Sequence, residues 1–365
     1  MQPMRYLRLW EWGDAVSATR REFLAACAAA APALAVGPGA PAAEKTATGM
    51  GVVIHSYALG RADKDSHLDD PLTFLDYCHG LGAAGVQTAL GARDEAYADK
   101  LRARAAEHKM YVEGSVRLPR DKSDVERFAA EVRTARGCGA TVVRTTLFDG
   151  RRYEVFDSAA AFRKFFDQAK QSLALARPIV ERHEILMAVE NHKDLQAPDL
   201  LDLVKKLDSP KIGVCLDTGN NLALLESPGE TVKVLAPHTF TTHIKDMGVE
   251  EYADGFLIAE VPLGTGFLDL ATIVATVRRA HPESHLNLEM ITRDPLKVPC
   301  LTPKYWSTLE NIPGRRLAEM IALVRSNAGK KPLPRISELS KEERLQREDD
   351  NVKQCLRYAR EKLES

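Results

Sequence analysis

Residues 185–190 read Ile-Leu-Met-Ala-Val-Glu, residues 212–217 Ile-Gly-Val-Cys-Leu-Asp, residues 240–244 Phe-Thr-Thr-His-Ile and residues 286–289 Leu-Asn-Leu-Glu. Each is an apolar or β-branched run too short for a helix, and each carries at or near its end a side chain able to bind a cation. Such runs, bounded by longer amphipathic stretches, predict strands buried on both faces of a parallel sheet with helices between them. Outward from these, the same pattern recurs at Gly51 to His55, Gly85 to Leu90, Met110 to Gly114 and Ala140 to Thr145. Helical patterns intervene, among them Pro71 to Gly80, Asp124 to Arg136, Ala159 to His183, Pro198 to Leu207 and Leu268 to Ala280. Eight βα repeats over about 280 residues predict an α/β fold, the (β/α)8 TIM barrel. A doubly wound sheet would have fewer strands and a glycine-rich first turn, and no such turn follows the first run. Gly264-Thr265-Gly266 follows Pro262 and is expected to turn the chain into the last crossover helix rather than to cradle phosphate.

The 365-residue chain carries a formal net charge of -1, with acidic and basic residues interleaved. That balance offers no basic surface for nucleic acid. Residues 1–45 stand apart: Thr19-Arg20-Arg21-Glu22-Phe23-Leu24 precedes an Ala-rich stretch to about Val36, then Ala40-Pro41-Ala42. A paired Arg, a mildly apolar core and small residues in that order predict a twin-arginine signal peptide with its linker, recognised by the twin-arginine export machinery. The mature protein is then expected to be periplasmic or secreted. The apolar core is shorter than the ~20 residues of a membrane span, so no stable membrane anchor is expected. Of the six cysteines Cys27 lies in this signal and the other five are scattered, which argues against a disulfide framework. Residues 50–328 are read as the barrel, with its final helix through Arg315 to Arg325. Residues 329–365 are read as a C-terminal extension with a charged helix from about Ser337 to Leu363. Ser337 and Ser340 are its candidate caps, and alternating Glu, Lys and Arg read as a solvated helix for packing or homo-oligomer assembly.

In a barrel the C-terminal strand ends converge on one face, so polar residues that end apolar strands are the first candidates for a site. Glu190, Asp217, His243 and Glu289 hold such positions on the last four strands. Three carboxylates and one imidazole suit a hard or borderline divalent cation, Mn²⁺ first, with Mg²⁺, Co²⁺ or Zn²⁺ as alternatives.

Glu190-Asn191-His192, Cys215-Leu216-Asp217-Thr218-Gly219-Asn220, His243-Ile244-Lys245-Asp246, Pro262-Leu263-Gly264-Thr265-Gly266 and Leu288-Glu289 resemble the ordered motifs of the xylose isomerase-like sugar isomerase and epimerase family. The resemblance runs over roughly residues 50 to 325. It implies a TIM barrel holding one metal through Glu190, Asp217, His243 and Glu289, with both glutamates also exchanging protons with a sugar. Many ketose epimerases of that family have His three residues after the metal Asp. Here Asn220 stands there, and it cannot shuttle a proton at neutral pH.

Further candidates for substrate contact follow by position. His55, Gln87, Glu113 and Arg144 lie near the ends of the first four strands and would form a polar rim, or Arg144 would pair with Glu113. His192 would orient Glu190, touch a hydroxyl or be structural. The resemblance puts Lys245 near the substrate with Asp246 as its partner, and Arg293 would bind a carboxylate or dock its loop. The leading expectation is a metal-dependent isomerase or epimerase of a small carbohydrate, abstracting a proton beside a carbonyl to give a metal-bound enediolate. Alternatives are a lyase eliminating a substituent from a 3-keto sugar or glycoside, a decarboxylase of a keto-acid sugar, and a non-enzymatic sugar-binding protein.

Overall fold

The computed structural model describes residues 49–329 and 332–364. The signal-peptide reading therefore lies outside the described residues. Within them the apolar runs form parallel strands β1 (Gly51–Val53), β2 (Gly85–Thr88), β3 (Tyr111–Ser115), β4 (Val142–Thr145), β5 (Leu186–Glu190), β6 (Ile212–Asp217) and β7 (Thr239–Ile244). Two antiparallel strands follow, β8 (Asp246–Tyr252) and β9 (Gly255–Val261), before β10 (His285–Leu288) and the short β11 (Leu296–Val298). Strands β1 to β7 and β10 close into a barrel in the order β1-β10-β7-β6-β5-β4-β3-β2. The (β/α)8 barrel read from the sequence is the fold.

The helices between strands are α1 (Ala58–Ala62), α2 (Pro71–Gly80), α3 (Glu95–His108), α4 (Val125–Gly137), α5 (Arg152–Val155), α6 (Ala159–Arg182), α7 (Ala197–Lys206), α8 (Pro228–Leu235) and α9 (Leu270–Ala280). After β11 come α10 (Pro303–Trp306), α11 (Gly314–Asn327) and α12 (Lys341–Lys362). Local chemistry starts several of them: Asp70, Asp94, Ser158, Ser227 and Asp269 each accept a bond from an amide of the first turn. Their apolar faces then pack on the strands, with Phe74, Leu101, Phe128 and Leu173 fully buried between helix and barrel. Each such side chain is worth about 1.5–3 kcal/mol against exposure. None of the described helices is long and apolar enough to cross a membrane. Cys78, Cys138, Cys215, Cys300 and Cys355 are free and buried, as the scattered spacing implied.

Two features differ from the sequence reading. First, β8 and β9 form a hairpin that leaves the barrel and pairs with β11 in a three-stranded antiparallel sheet. Tyr252 faces Gly255 across a tight two-residue turn of Ala253 and Asp254. The Gly264-Thr265-Gly266 segment consequently does follow a strand. It leads to α9, with Gly264 at φ 83°, where a Cβ would strike the Tyr358 ring. Second, the C-terminal helix is not merely solvated. Ser340 and Glu343 make a reciprocal capping box at its start, and Val352, Cys355, Leu356, Ala359 and Leu363 are buried against the barrel.

Candidate metal centre

Strand ends deliver the four predicted ligands together. Glu190 closes β5, Asp217 closes β6, His243 lies next to last in β7 and Glu289 directly follows β10. A register shift between Val214 and Cys215 sets Asp217 opposite His243 across the β6–β7 pair. All four are buried, and one donor atom from each lies within 4.8 Å of the others. That is the span across a coordination sphere with bonds of ~2.0–2.4 Å. His243 Nδ1 lies 3.4 Å from Glu190 Oε2, 3.5 Å from Glu289 Oε1 and 3.9 Å from Asp217 Oδ2.

The surroundings orient these donors. His243 Nε2 lies 2.7 Å from Gln87 Oε1, while Gln87 Nε2 donates to Glu113 Oε2 at 2.8 Å. With its amide nitrogen committed to Glu113, Gln87 offers His243 an acceptor. The imidazole therefore carries its proton on Nε2 and turns the Nδ1 lone pair to the carboxylates, the arrangement of a metal-ligating histidine. Nδ1 is buried without a hydrogen-bond partner among the described residues, and an orphaned buried acceptor calls for a cation. Asp217 spends Oδ1 on the amides of Gly219 and Asn220, at 2.9 and 2.8 Å. Asn191 clamps the Asp217 backbone through two bonds, at 2.9 and 2.8 Å. The donor set and its orientation fit a divalent cation.

Charge is balanced within the cluster. Arg144 pairs with Glu190, its Nε 2.6 Å from Oε2, and Lys245 Nζ sits 2.9 Å from Asp217 Oδ2 and 2.7 Å from Glu289 Oε2. Burial opposes ionisation of Glu190 and Glu289. Arg144 outweighs it at Glu190 and Lys245 at Glu289, and both stay well below the usual carboxylate range. Burial raises Asp217 despite Lys245.

The predicted rim residues divide. His55 Nδ1 lies 3.0 Å from Glu289 Oε1. His192 Nδ1 contacts the Phe148 carbonyl at 2.9 Å, and burial pushes it down to about 3, so it is neutral. Both, with Lys245 and Arg293, line a cavity of about 250 Å³ above Glu289. Asn220 bridges inward, donating from Nδ2 to Glu190 Oε1 at 3.0 Å.

Three expectations are corrected. Glu113 does not reach the rim, because Gln87, Thr241, His285 and Asn287 hold it in the barrel interior. Arg144 pairs with Glu190 rather than Glu113, since its side chain follows the strand end toward the cluster. Asp246 is not the partner of Lys245: it collects the amides of Met247, Gly264, Gly266 and Leu268 and shapes the turn into α9. Arg293 docks on Glu260 by two bonds, 2.6 and 3.2 Å. Arg293 and Lys245 overcome the burial of Glu260 and lower it to about 2.

Sequence reasoning passed over Asn191, Lys193 and Glu260. Asn191 directly follows the ligand Glu190 and Lys193 lies three residues beyond it, and that closeness was a usable signal; Glu260 sits on the unforeseen hairpin and had none. Lys193 is buried at the pocket and pushed down to about 8 by burial, Lys245 and Arg293.

Comparison with known proteins agrees with this architecture. A 3-oxo-isoapionate decarboxylase of Pectobacterium atrosepticum is 33% identical over 132 residues, 36% of this chain and 48% of that protein, so the match spans about half of the relative. A xylose isomerase-like TIM barrel protein from Mycobacterium smegmatis, in complex with magnesium, superposes with TM-score 0.52 at 17% identity, covering 75% of this chain and 97% of that one. D-psicose 3-epimerase with D-tagatose, from Clostridium cellulolyticum, gives TM-score 0.53 at 12% identity over 76% and 97%. At such identities the structures share the fold alone. Residues 75–314, more than half of the chain and including Glu190, Asp217, His243 and Glu289, match the model of one family, and the protein belongs to the xylose isomerase-like TIM barrel family.

Proposed function

We propose that this protein is a divalent-metal-dependent enzyme that moves a proton at the carbon beside the carbonyl of a monosaccharide, as an isomerase or epimerase. The observation that carries the reading is the orphaned Nδ1 of His243 facing Glu190, Asp217 and Glu289, the last of which lines a cavity open to solvent. A divalent cation held there, Mn²⁺ in this proposal, supplies Lewis acidity to a carbonyl and its neighbouring hydroxyl, which acidifies the C–H between them. The remaining work falls to side chains. Glu190 on β5 and Glu289 after β10 are separated around the barrel by β6 and β7, so they approach a ligand from different sides. One takes the proton and the other returns one. Arg144 and Lys245 keep them ionised and ready to accept. A cavity of about 250 Å³, below the ~300–1,000 Å³ of drug-sized pockets, favours one sugar unit over a glycoside with a large aglycone. We further propose that the reaction takes place after export, on the reading of residues 1–45 as a twin-arginine signal.

A second reading, loss of carbon dioxide from a keto-acid sugar, uses the same site and is favoured by the decarboxylase relative. Incubation with a panel of ketoses and keto acids in D2O, followed by NMR, separates the two. Deuterium beside a carbonyl with the skeleton kept is expected, lost in Glu190→Gln and in Glu289→Gln by at least about a hundredfold. Full activity in both variants would sink the proposal, and release of carbon dioxide would move it to the second reading.

A further inference from the structure

Of the two buried lysines among the described residues, Lys245 bridges two carboxylates, whereas Lys193 has no carboxylate oxygen within 4 Å. Lys193 lines the 250 Å³ cavity at 4% exposure, and the only hydrogen-bond partner of its ammonium among the described residues is the neutral amide oxygen of Asn220. Lys245 Nζ approaches that same oxygen at 3.3 Å, while the Asn220 nitrogen serves Glu190. One amide thus receives two ammonium groups and still donates to a carboxylate, a combination that a single imidazole cannot offer. Burying a cation without a counter-ion is costly and is seldom kept without a ligand to relieve it.

The charge count points the same way. Glu190, Asp217 and Glu289 bring three negative charges, Arg144, Lys193 and Lys245 three positive ones, and Arg293 cancels Glu260. A divalent cation on the carboxylates leaves two positive charges in excess among these groups; at the cavity mouth Arg151 pairs with Glu154 and the exposed Asp149 offsets one of them, so one positive charge remains. A neutral sugar leaves that excess unmet.

We propose that the substrate is a sugar acid whose carboxylate rests on Lys193, with the half-exposed Arg293 at the rim adding to the field. The inference deepens the proposed function and rests on it only in taking this cavity as the active site. A carboxylate is preferred to a phosphate because the anion partner is a single buried ammonium in a small cavity. In that position Lys193 sets which substrate enters and where its carbonyl falls relative to Glu190 and Glu289.

The test is isothermal titration of the manganese-loaded protein with D-fructose, with its two acid counterparts D-fructuronate and 2-keto-D-gluconate, and with D-fructose 6-phosphate. A charge-assisted bond in a buried site predicts that one of the acids binds about 10 to 100 times more tightly than D-fructose. Lys193→Met abolishes that preference with metal content unchanged, and Lys193→Arg retains part of it. Equal affinity for acid and ketose, a preference that survives Lys193→Met, or a preference for the phosphate overturns the inference. Deuterium exchange into D-fructose without any acid preference would leave the proposed function standing and remove only this proposal. No binding of any sugar by protein that holds its metal would remove both.

Discussion

At the residue scale the centre is a set of donors whose second contacts are already assigned. Gln87 fixes the His243 tautomer, Asn191 and the Asp217 turn fix one carboxylate, and Arg144 and Asn220 fix another. The ligands were legible because each ends an apolar run on successive strands, a pattern with poor core chemistry and good metal chemistry. Their supports were not: Gln87 reaches His243 across 156 residues, and no local periodicity encodes such a contact. Lys245 occupies an ambiguous place, because its ammonium shares Asp217 and Glu289 with any cation bound there. Replacing it with Met removes a like charge from the site. Manganese affinity is therefore expected to rise about tenfold while turnover falls, as read by metal titration beside a rate assay. Weaker metal binding in Lys245→Met would show that the lysine supports the ligands rather than competing for them.

At the element scale the amphipathic patterns located most helices, with Pro71 to Gly80 coinciding with α2 and Ala159 to His183 with α6 to one residue at its end. The β8–β9 hairpin escaped because its sixteen residues from Asp246 to Val261 lie where a barrel repeat places only a loop and helix. Its alternation was absorbed into that expectation. The C-terminal helix shows why charge patterning misleads for an amphipathic segment: its polar face dominates the composition, and a narrow buried seam does the packing. Glu348 on α12 is 1% exposed and accepts the Leu59 and Gly60 amides at 2.8 Å each. It thereby caps α1, which follows the segment bearing His55. Glu348→Ala orphans both amides at about 1–3 kcal/mol apiece, so urea denaturation should show a loss of about 2–6 kcal/mol, with Glu348→Gln losing less. A neutral result in the alanine variant would mean that water replaces the carboxylate.

At the scale of the whole molecule, a buried cluster of three carboxylates ties stability to its counter-ions. A cation that binds only the folded chain stabilises it by mass action, about 2.7 kcal/mol at a free concentration one hundred times Kd. Calorimetry of chelated and manganese-loaded protein should therefore show a rise in melting temperature with metal, absent in a variant with Asp217→Asn and His243→Gln together. Equal melting temperatures with and without metal in the unsubstituted chain would count against a metal in this centre. The sequence by itself determined the barrel, the face that carries the site and the four candidate ligands, because strand period and polar strand ends are local properties of the chain. Only the tertiary structure decided that Glu113 supports the floor instead of the rim, that Arg144 serves Glu190, that Arg293 is held by Glu260 and that Lys193 has no ionic partner among the described residues. Those outcomes depend on which strands become neighbours when the barrel closes and on how far each side chain reaches across it, and neither is written in the spacing of residues along the chain.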